Sequence, residues 1–279
     1  MILDLDIGNT LSKWRLKERI SNQIKARGAV WTHDEWRPGE DIPDLNTVEV
    51  VRISNVARCE VLVETVGMLS ERVMSVHIAR SEPEALGVRN GYEHPGLLGV
   101  DRWLGILAGY RLSQGCVVVD CGSAMTIDIV LPGGDHVGGY ILPGLRLMKE
   151  SLRVNTRNVP IDPDCEPAVL RIPGRKTLDA VGHGVYMTAV STIDRVYAEA
   201  CDRYDQALPL FLTGGDAGTI APGLKIPYAI WPDMVYGGLE ALFPATQEES
   251  RGTMTGAPRV PPIEALTWLR KGLAFSALI

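Results

Sequence analysis

Three short stretches of the chain combine residue types that could handle phosphate: LDIGNT (5–10), DCGSAMT (120–126) and LTGGDA (212–217). Each joins an apolar strand pattern to a glycine turn with small polar residues. Glycine lets backbone N–H groups come close to an anion, and hydroxyl side chains add donors. A carboxylate at the strand end, Asp6 or Asp120, stands where a cation bridging phosphates would be held. Any one of these turns alone reads more readily as a tight hairpin with solvated polar residues. Three of them in chain order point to a nucleotide. A fourth feature is Asp101 followed directly by Arg102. A carboxylate beside a hydroxyl can take its proton as a bond forms, and an arginine can hold an anionic substrate by paired hydrogen bonds. On the residues alone, Asp101 reads more readily as a helix N-terminal carboxylate favoured by the helix dipole, with Arg102 as its partner. Lys13 reads equally as a solvated strand residue.

The elements that must position these residues alternate between strand and helix. Residues 2–7 and 11–17 pattern as two strands around the turn at Gly8 and Asn9. A third strand is expected at 48–54, a helix at 60–72 and a strand at 73–79. The Gly/Pro-rich loop GVRNGYEHPGLLG (87–99) leads to an amphipathic helix near 101–112. His94 in that loop reads as an ordinary loop residue. VVVDCGSAMTIDIV (117–130) repeats the layout of the N-terminus, with Asp120 in the place of Asp6, which suggests two like-folded halves. HVGGYILPG (136–144) follows, then a helix at 144–153 and a long one from Thr177 to about Tyr204. Its expected apolar stripe is Leu178, Val181, Val185, Ala189, Ile193 and Val196. A strand running into a glycine turn at 209–218 and a helix at 232–243 complete the pattern. The polar, Pro/Gly-rich stretch after Pro244 suggests a mobile tail, 246–279, whose last residues could form a short helix. The domains expected are therefore 1–114, 115–245 and the tail.

Composition narrows the function. A chain of 279 residues with 46% hydrophobic and 22% charged residues is ordinary for a soluble globular protein. A net charge of −6 and the lack of any Lys/Arg block argue against a nucleic-acid surface. No apolar run reaches the length of a membrane span, and Asp4 and Asp6 sit where a signal peptide needs positive charge. The five cysteines form no C-x-x-C pair, so reduced thiols in the cytoplasm are expected. The common P-loop, dinucleotide, zinc-protease and esterase motifs are absent.

Duplicated halves that each open with a phosphate-binding hairpin resemble the actin, hexokinase and heat-shock chaperone ATPase superfamily. The fold this implies is α/β, two ribonuclease H-like domains with a cleft between them. Within that superfamily, residues 1–243 resemble the type III pantothenate kinases. Asp6 to Thr10 matches the first phosphate motif, with Lys13 following on the second strand. Tyr92 to Arg102 matches the pantothenate segment. Asp120 to Asp128 matches the second phosphate motif, with Ser123 where the family usually has threonine. GGYILPG (138–144) and TGGD (213–216) match two further motifs, the latter the adenosine-side turn with Gly214 and Gly215. The resemblance implies that Asp101 is the catalytic base, and that Tyr92, Gly99, Val100, Asp101, Arg102 and Thr177 bind pantothenate. It implies that Asp6 orients Mg²⁺ or its waters, that Gly8, Asn9, Thr10 and Lys13 contact the ATP phosphates, and that Ser123 adds a hydroxyl. It assigns Asp120 to a monovalent cation, K⁺ or NH₄⁺, whereas the residues alone allow a second Mg²⁺ carboxylate. Thr177 also reads as a plain helix start, since Thr is a favoured N-cap. The reaction implied is ATP-dependent phosphorylation of pantothenate, the first step towards coenzyme A, by a cytoplasmic homodimer. Two alternatives stay open: a kinase of the same superfamily acting on another small alcohol or carboxylate, and a non-enzymatic regulator like the Bvg accessory factor.

Overall fold

The computed structural model describes residues 1–32, 42–43, 45–70, 72–156 and 172–244. The expected tail 246–279 and Cys165 lie outside these residues. The chain opens with strands β1 (Ile2–Ile7), β2 (Leu11–Lys17), β3 (Ile24–Trp31) and β4 (Val50–Asn55), then helix α1 (Cys59–Ser70) and strand β5 (Ser75–Ile78). These strands form one sheet in the order β3-β2-β1-β4-β5. The first three pair antiparallel, and β1, β4 and β5 pair parallel. A two-stranded ribbon of β6 (Glu84–Ala85) and β7 (Val88–Arg89) comes next, followed by α2 (Val100–Ser113).

Then the first pattern returns. Strands β8 (Cys116–Cys121), β9 (Ala124–Val130) and β10 (His136–Pro143) are followed by helices α3 (Leu145–Asn155) and α4 (Thr177–Tyr204). Strand β11 (Leu210–Thr213), a single turn α5 (Ala217–Ile220), strand β12 (Ala229–Ile230) and helix α6 (Met234–Leu242) close the described chain. The second sheet has the order β10-β9-β8-β11-β12, the same topology as the first. The duplication extends to register. Asp6 is the penultimate residue of β1 and pairs with Lys13 on one side and Ser54 on the other. Asp120 is the penultimate residue of β8 and pairs with Thr126 and Thr213.

Two compact units result, and each is interleaved along the chain. One holds residues 1–81, 99–104 and, among the described residues, 235–244; the other holds 82–98 and 105–234. A single cut at 114/115 therefore separates the two sheets in chain order but not the compact units. In the first unit, Leu3, Leu5, Ile7, Leu16, Val51 and Ile53 bury one sheet face against Leu62, Val66 and Leu69 of α1. In the second, Val117, Val119, Ile127, Leu210 and Leu212 pack against Val185, Ala189, Ile193 and Val196 of α4. Leu178, expected on that stripe, is exposed.

β3 was not expected from the sequence. It is an edge strand whose residues are alternately exposed and half-buried, so it lacks the buried apolar face that marks a strand in sequence.

The other face of the first sheet carries charge. Alternation along β1 sends Ile2, Asp4 and Asp6 to the face opposite Leu3, Leu5 and Ile7. Asp4 lies between Arg15 and Arg52 and is fully buried with them. It accepts hydrogen bonds from Arg15 Nη2 at 2.7 Å and Arg52 Nε at 2.6 Å. Glu240 of α6 pairs with Arg15 and Lys17, and Arg52 Nη1 donates to the Phe243 carbonyl at 3.1 Å. Burial alone would raise the Glu240 carboxyl, but Lys17, Arg15 and Arg52 outweigh it and hold it below the usual carboxylate range. The network thus fastens α6 across the sheet face that carries Asp6.

Candidate active site

In the first unit the β1–β2 hairpin turns through Gly8, Asn9 and Thr10, closed by the Gly8 N–H donating to the Leu11 carbonyl at 3.2 Å. Thr32 braces the turn: its N–H donates to the Thr10 carbonyl at 3.0 Å and its hydroxyl to the Gly8 carbonyl at 2.7 Å. Asn9 and Lys13 remain exposed and Asp6 half-buried. Burial pushes the Asp6 carboxyl up to about 6. The negative charge of Asp101 adds to the rise, while Lys13 and the Ser54 hydroxyl oppose it. So Asp6, Lys13, Ser54 and Asp101 form one electrostatic group. Ser54 was not expected; only the parallel register of β1 and β4, which no local pattern reveals, places it there.

Asp101 lies in the first turn of α2, where its Oδ1 accepts the Arg102 backbone N–H at 2.7 Å. The plain helix-terminus reading is therefore true of one carboxylate oxygen, without displacing the carboxylate from the neighbourhood of Asp6. Gly99 accepts the Trp103 N–H at 3.0 Å and starts the helix, and Val100 and Arg102 are buried in the same turn.

The second unit holds the remaining expected residues. Asp120 stands beside the glycine turn after β11. Gly214 has φ +88°, and a Cβ there would run into Asp120 Oδ1 and the Cys121 carbonyl, so no other residue fits without displacing them. Gly215 has open space around it. The Asp216 N–H donates to the Cys121 carbonyl at 2.9 Å, tying the two turns together. Burial raises the Asp216 carboxyl, and the buried Lys149 of α3 opposes that rise. Lys149 was not expected, because a lysine inside an amphipathic helix gives no sequence sign of being buried. Burial also raises the Cys121 thiol, with Asp120 and Asp216 adding to the effect, so it stays protonated and unreactive.

Ser123 lies exposed at the tip of the β8–β9 turn. The reason for the last glycine of GGYILPG is now visible. The Gly144 N–H donates to the Ser123 carbonyl at 3.0 Å, and a Cβ on Gly144 would collide with the Gly122 carbonyl. Helix α3 therefore begins directly against the Gly122–Ser123 turn, and its N-terminal dipole favours an anion there. Thr177 is the first residue of α4 and exposed; Lys176 occupies the cap position and no side chain caps the helix. Thr177 is therefore the helix start, as its plain reading has it, although the cap position itself falls on Lys176. Tyr92 is half-buried, its N–H donating to Asn90 Oδ1 at 3.0 Å.

The first unit thus brings together Asp6, Gly8, Asn9, Thr10, Lys13, Gly99, Val100, Asp101 and Arg102. The second holds Tyr92, Asp120, Ser123, Thr177, Gly214 and Gly215. Two five-stranded sheets of one topology, each presenting a carboxylate at a phosphate-compatible hairpin, define an α/β protein of the actin-like ATPase fold. A solved structure of a conserved Baf family protein from Campylobacter jejuni has this fold: TM-score 0.53 at 23% identity, covering 86% of this chain and 96% of that one.

Sequence relatives give the particular family. The family model for type III pantothenate kinase matches residues 2–199. A type III pantothenate kinase of Chromohalobacter salexigens is 63% identical over the whole of both chains. Those of Ectopseudomonas mendocina and Pseudomonas aeruginosa are 36% and 35% identical, each covering 88% of this chain and 99% of the relative. The chain belongs to the type III pantothenate kinase family.

Proposed function

We propose that the chain transfers the γ-phosphoryl group of ATP to the primary hydroxyl of pantothenate, giving 4′-phosphopantothenate and ADP, with Asp101 as the proton acceptor. The observation that carries the assignment is that Asp101 lies close enough to Asp6, at the first phosphate turn, to raise its carboxyl. Phosphoryl transfer needs positioning, charge neutralisation and a group to receive the alcohol proton. Asp101 takes that proton as the hydroxyl attacks. Arg102, buried next to it, binds the pantothenate carboxylate, and Tyr92, Gly99, Val100 and Thr177 complete the substrate contacts. The N–H groups of Gly8, Asn9 and Thr10, with Lys13 and the Ser123 hydroxyl, hold the ATP phosphates; Gly214 and Gly215 serve the adenosine side.

The residues present fit two cations. Asp6 and Asp101 are neighbouring carboxylates whose repulsion a divalent ion relieves, as suits Mg²⁺ entering with ATP and held through Asp6. Asp120 Oδ1 near the Cys121 carbonyl offers the hard oxygen donors that suit K⁺ or NH₄⁺. Bound there, such ions supply charge neutralisation. Among the described residues no helix is long and apolar enough to cross a membrane, and we place the reaction in the cytoplasm. A homodimer is supported by the exposed apolar residues Leu147, Leu152 and Val154 on α3 and Leu178 and Met187 on α4. We also take the boundary between the two duplicated domains as 114/115.

The test is to incubate purified protein with ATP, Mg²⁺ and pantothenate, first with K⁺ and then with Na⁺, beside a panel of other small alcohols. The reading predicts 4′-phosphopantothenate only from pantothenate, and faster with K⁺. Turnover of a different alcohol alone would favour another kinase of the superfamily, and no turnover at all would favour the regulator.

A further inference from the structure

The second unit buries an acid–imidazole pair that none of the roles above uses. His136 opens β10 and Asp128 lies in β9, with only 2% and 1% of their surfaces exposed. His136 Nε2 is 3.0 Å from Asp128 Oδ1. The other ring nitrogen, Nδ1, accepts the Gly91 backbone N–H at 3.3 Å. A nitrogen that accepts carries no proton, so the ring is the neutral Nε2–H tautomer and donates to the Asp128 carboxylate. Burying a carboxylate is costly unless it is hydrogen-bonded. A ring needed only for packing would not require one. What the acid achieves is to fix which nitrogen faces Gly91.

The segment facing that ring is the one expected to meet pantothenate. The Tyr92 ring lies nearly parallel to the imidazole, 13° between planes with centroids 6.2 Å apart. At Gly91 a Cβ would run into the His136 carbonyl, so the chain passes there in backbone contact. Two residues earlier, the Arg89 N–H donates to the Gly134 carbonyl at 2.8 Å, and the Arg89 side chain pairs with Asp135. Residues 90–94 have no strand or helix of their own. Their conformation is set by what they dock on, and at Tyr92 that is His136.

We propose that His136, oriented by Asp128, is a positioning residue for pantothenate: it holds the Gly91–Tyr92 backbone and the Tyr92 ring in the pose that receives the substrate. This rests on the reading of Tyr92 as a pantothenate contact. His136→Gln is the informative variant, because its amide can still donate to Asp128 but offers neither the ring face nor the acceptor at Nδ1. The expected result is a rise in pantothenate KM of roughly five- to thirtyfold, the range set by losing one hydrogen bond and one ring stack. The ATP KM and kcat should stay within about twofold, since Tyr92 is read as a pantothenate contact and not as part of the ATP site. An unchanged pantothenate KM, or an equal rise for both substrates, would overturn the role. A second measurement does not depend on turnover or on the variant folding. The ¹⁵N resonances of His136 in the wild-type protein should show a neutral ring protonated at Nε2, and protonation at Nδ1 would overturn the assignment. Failure of the functional reading looks different: the wild type itself would not phosphorylate pantothenate.

Discussion

Position 6 shows how one side chain's surroundings set its chemistry. The Asp6 carboxyl titrates near 6 because burial and Asp101 raise it further than Lys13 and Ser54 lower it. Its folded value lies above its unfolded one, so the native state holds this proton more tightly than the unfolded chain. That favours the fold at low pH and is lost as pH rises through about 6. The thermal midpoint of the ligand-free wild type should therefore fall relative to that of Asp6→Asn between about pH 4.5 and 7, with the variant the more stable at the upper end. Calorimetry of the two proteins side by side checks this. The difference matters because Asp216, also raised, and Glu240, lowered, contribute slopes of their own.

At the scale of elements, two glycines with adjacent numbers should behave differently. Gly214→Ala combines a positive φ with a collision against Asp120 and Cys121, and should cost about 1–3 kcal/mol of stability. Gly215→Ala meets nothing and should stay within about 0.5 kcal/mol, as surface changes usually do. Denaturant melts of both variants decide it. The ion network beneath α6 makes a further prediction. Asp4→Ala leaves Arg15 and Arg52 buried without their shared acceptor and should destabilise by about 3–5 kcal/mol, again read by denaturant melts.

These elements also show what the sequence could and could not reveal. The hairpins at Asp6 and Asp120 were legible because an apolar strand, an acid and a glycine are local signals, and their repetition implied the second sheet. Edge strand β3 was not legible, having no buried face to mark. Ser54 and Lys149 reach their neighbours through parallel pairing or helix packing. The burial of Asp4, Arg15, Lys17 and Arg52 has no local signal either, because it depends on the distant helix α6.

For the molecule as a whole, the duplication gives two sheets of one topology and register but different chemistry at equivalent positions. Asp6 is flanked by a cation and a hydroxyl, Lys13 and Ser54; Asp120 is flanked by two hydroxyls, Thr126 and Thr213. The difference suits one carboxylate to a phosphate-bound divalent ion and the other to a singly charged ion. If the exposed apolar residues of α3 and α4 are covered by a second copy, sedimentation should give a dimer. Leu147→Glu combined with Val154→Glu should then shift it to monomer.

Whether Asp101 receives the pantothenate proton is decided by single-turnover phosphorylation of pantothenate by wild type and Asp101→Asn, with ATP, Mg²⁺ and K⁺ present. Pantothenate and ATP binding should be measured in parallel by calorimetry. In Asp101→Asn the rate of the chemical step should fall by about 10²–10⁴, with both affinities within a few-fold of wild type. An Asp101→Asn protein that phosphorylates pantothenate at the wild-type rate would contradict that role.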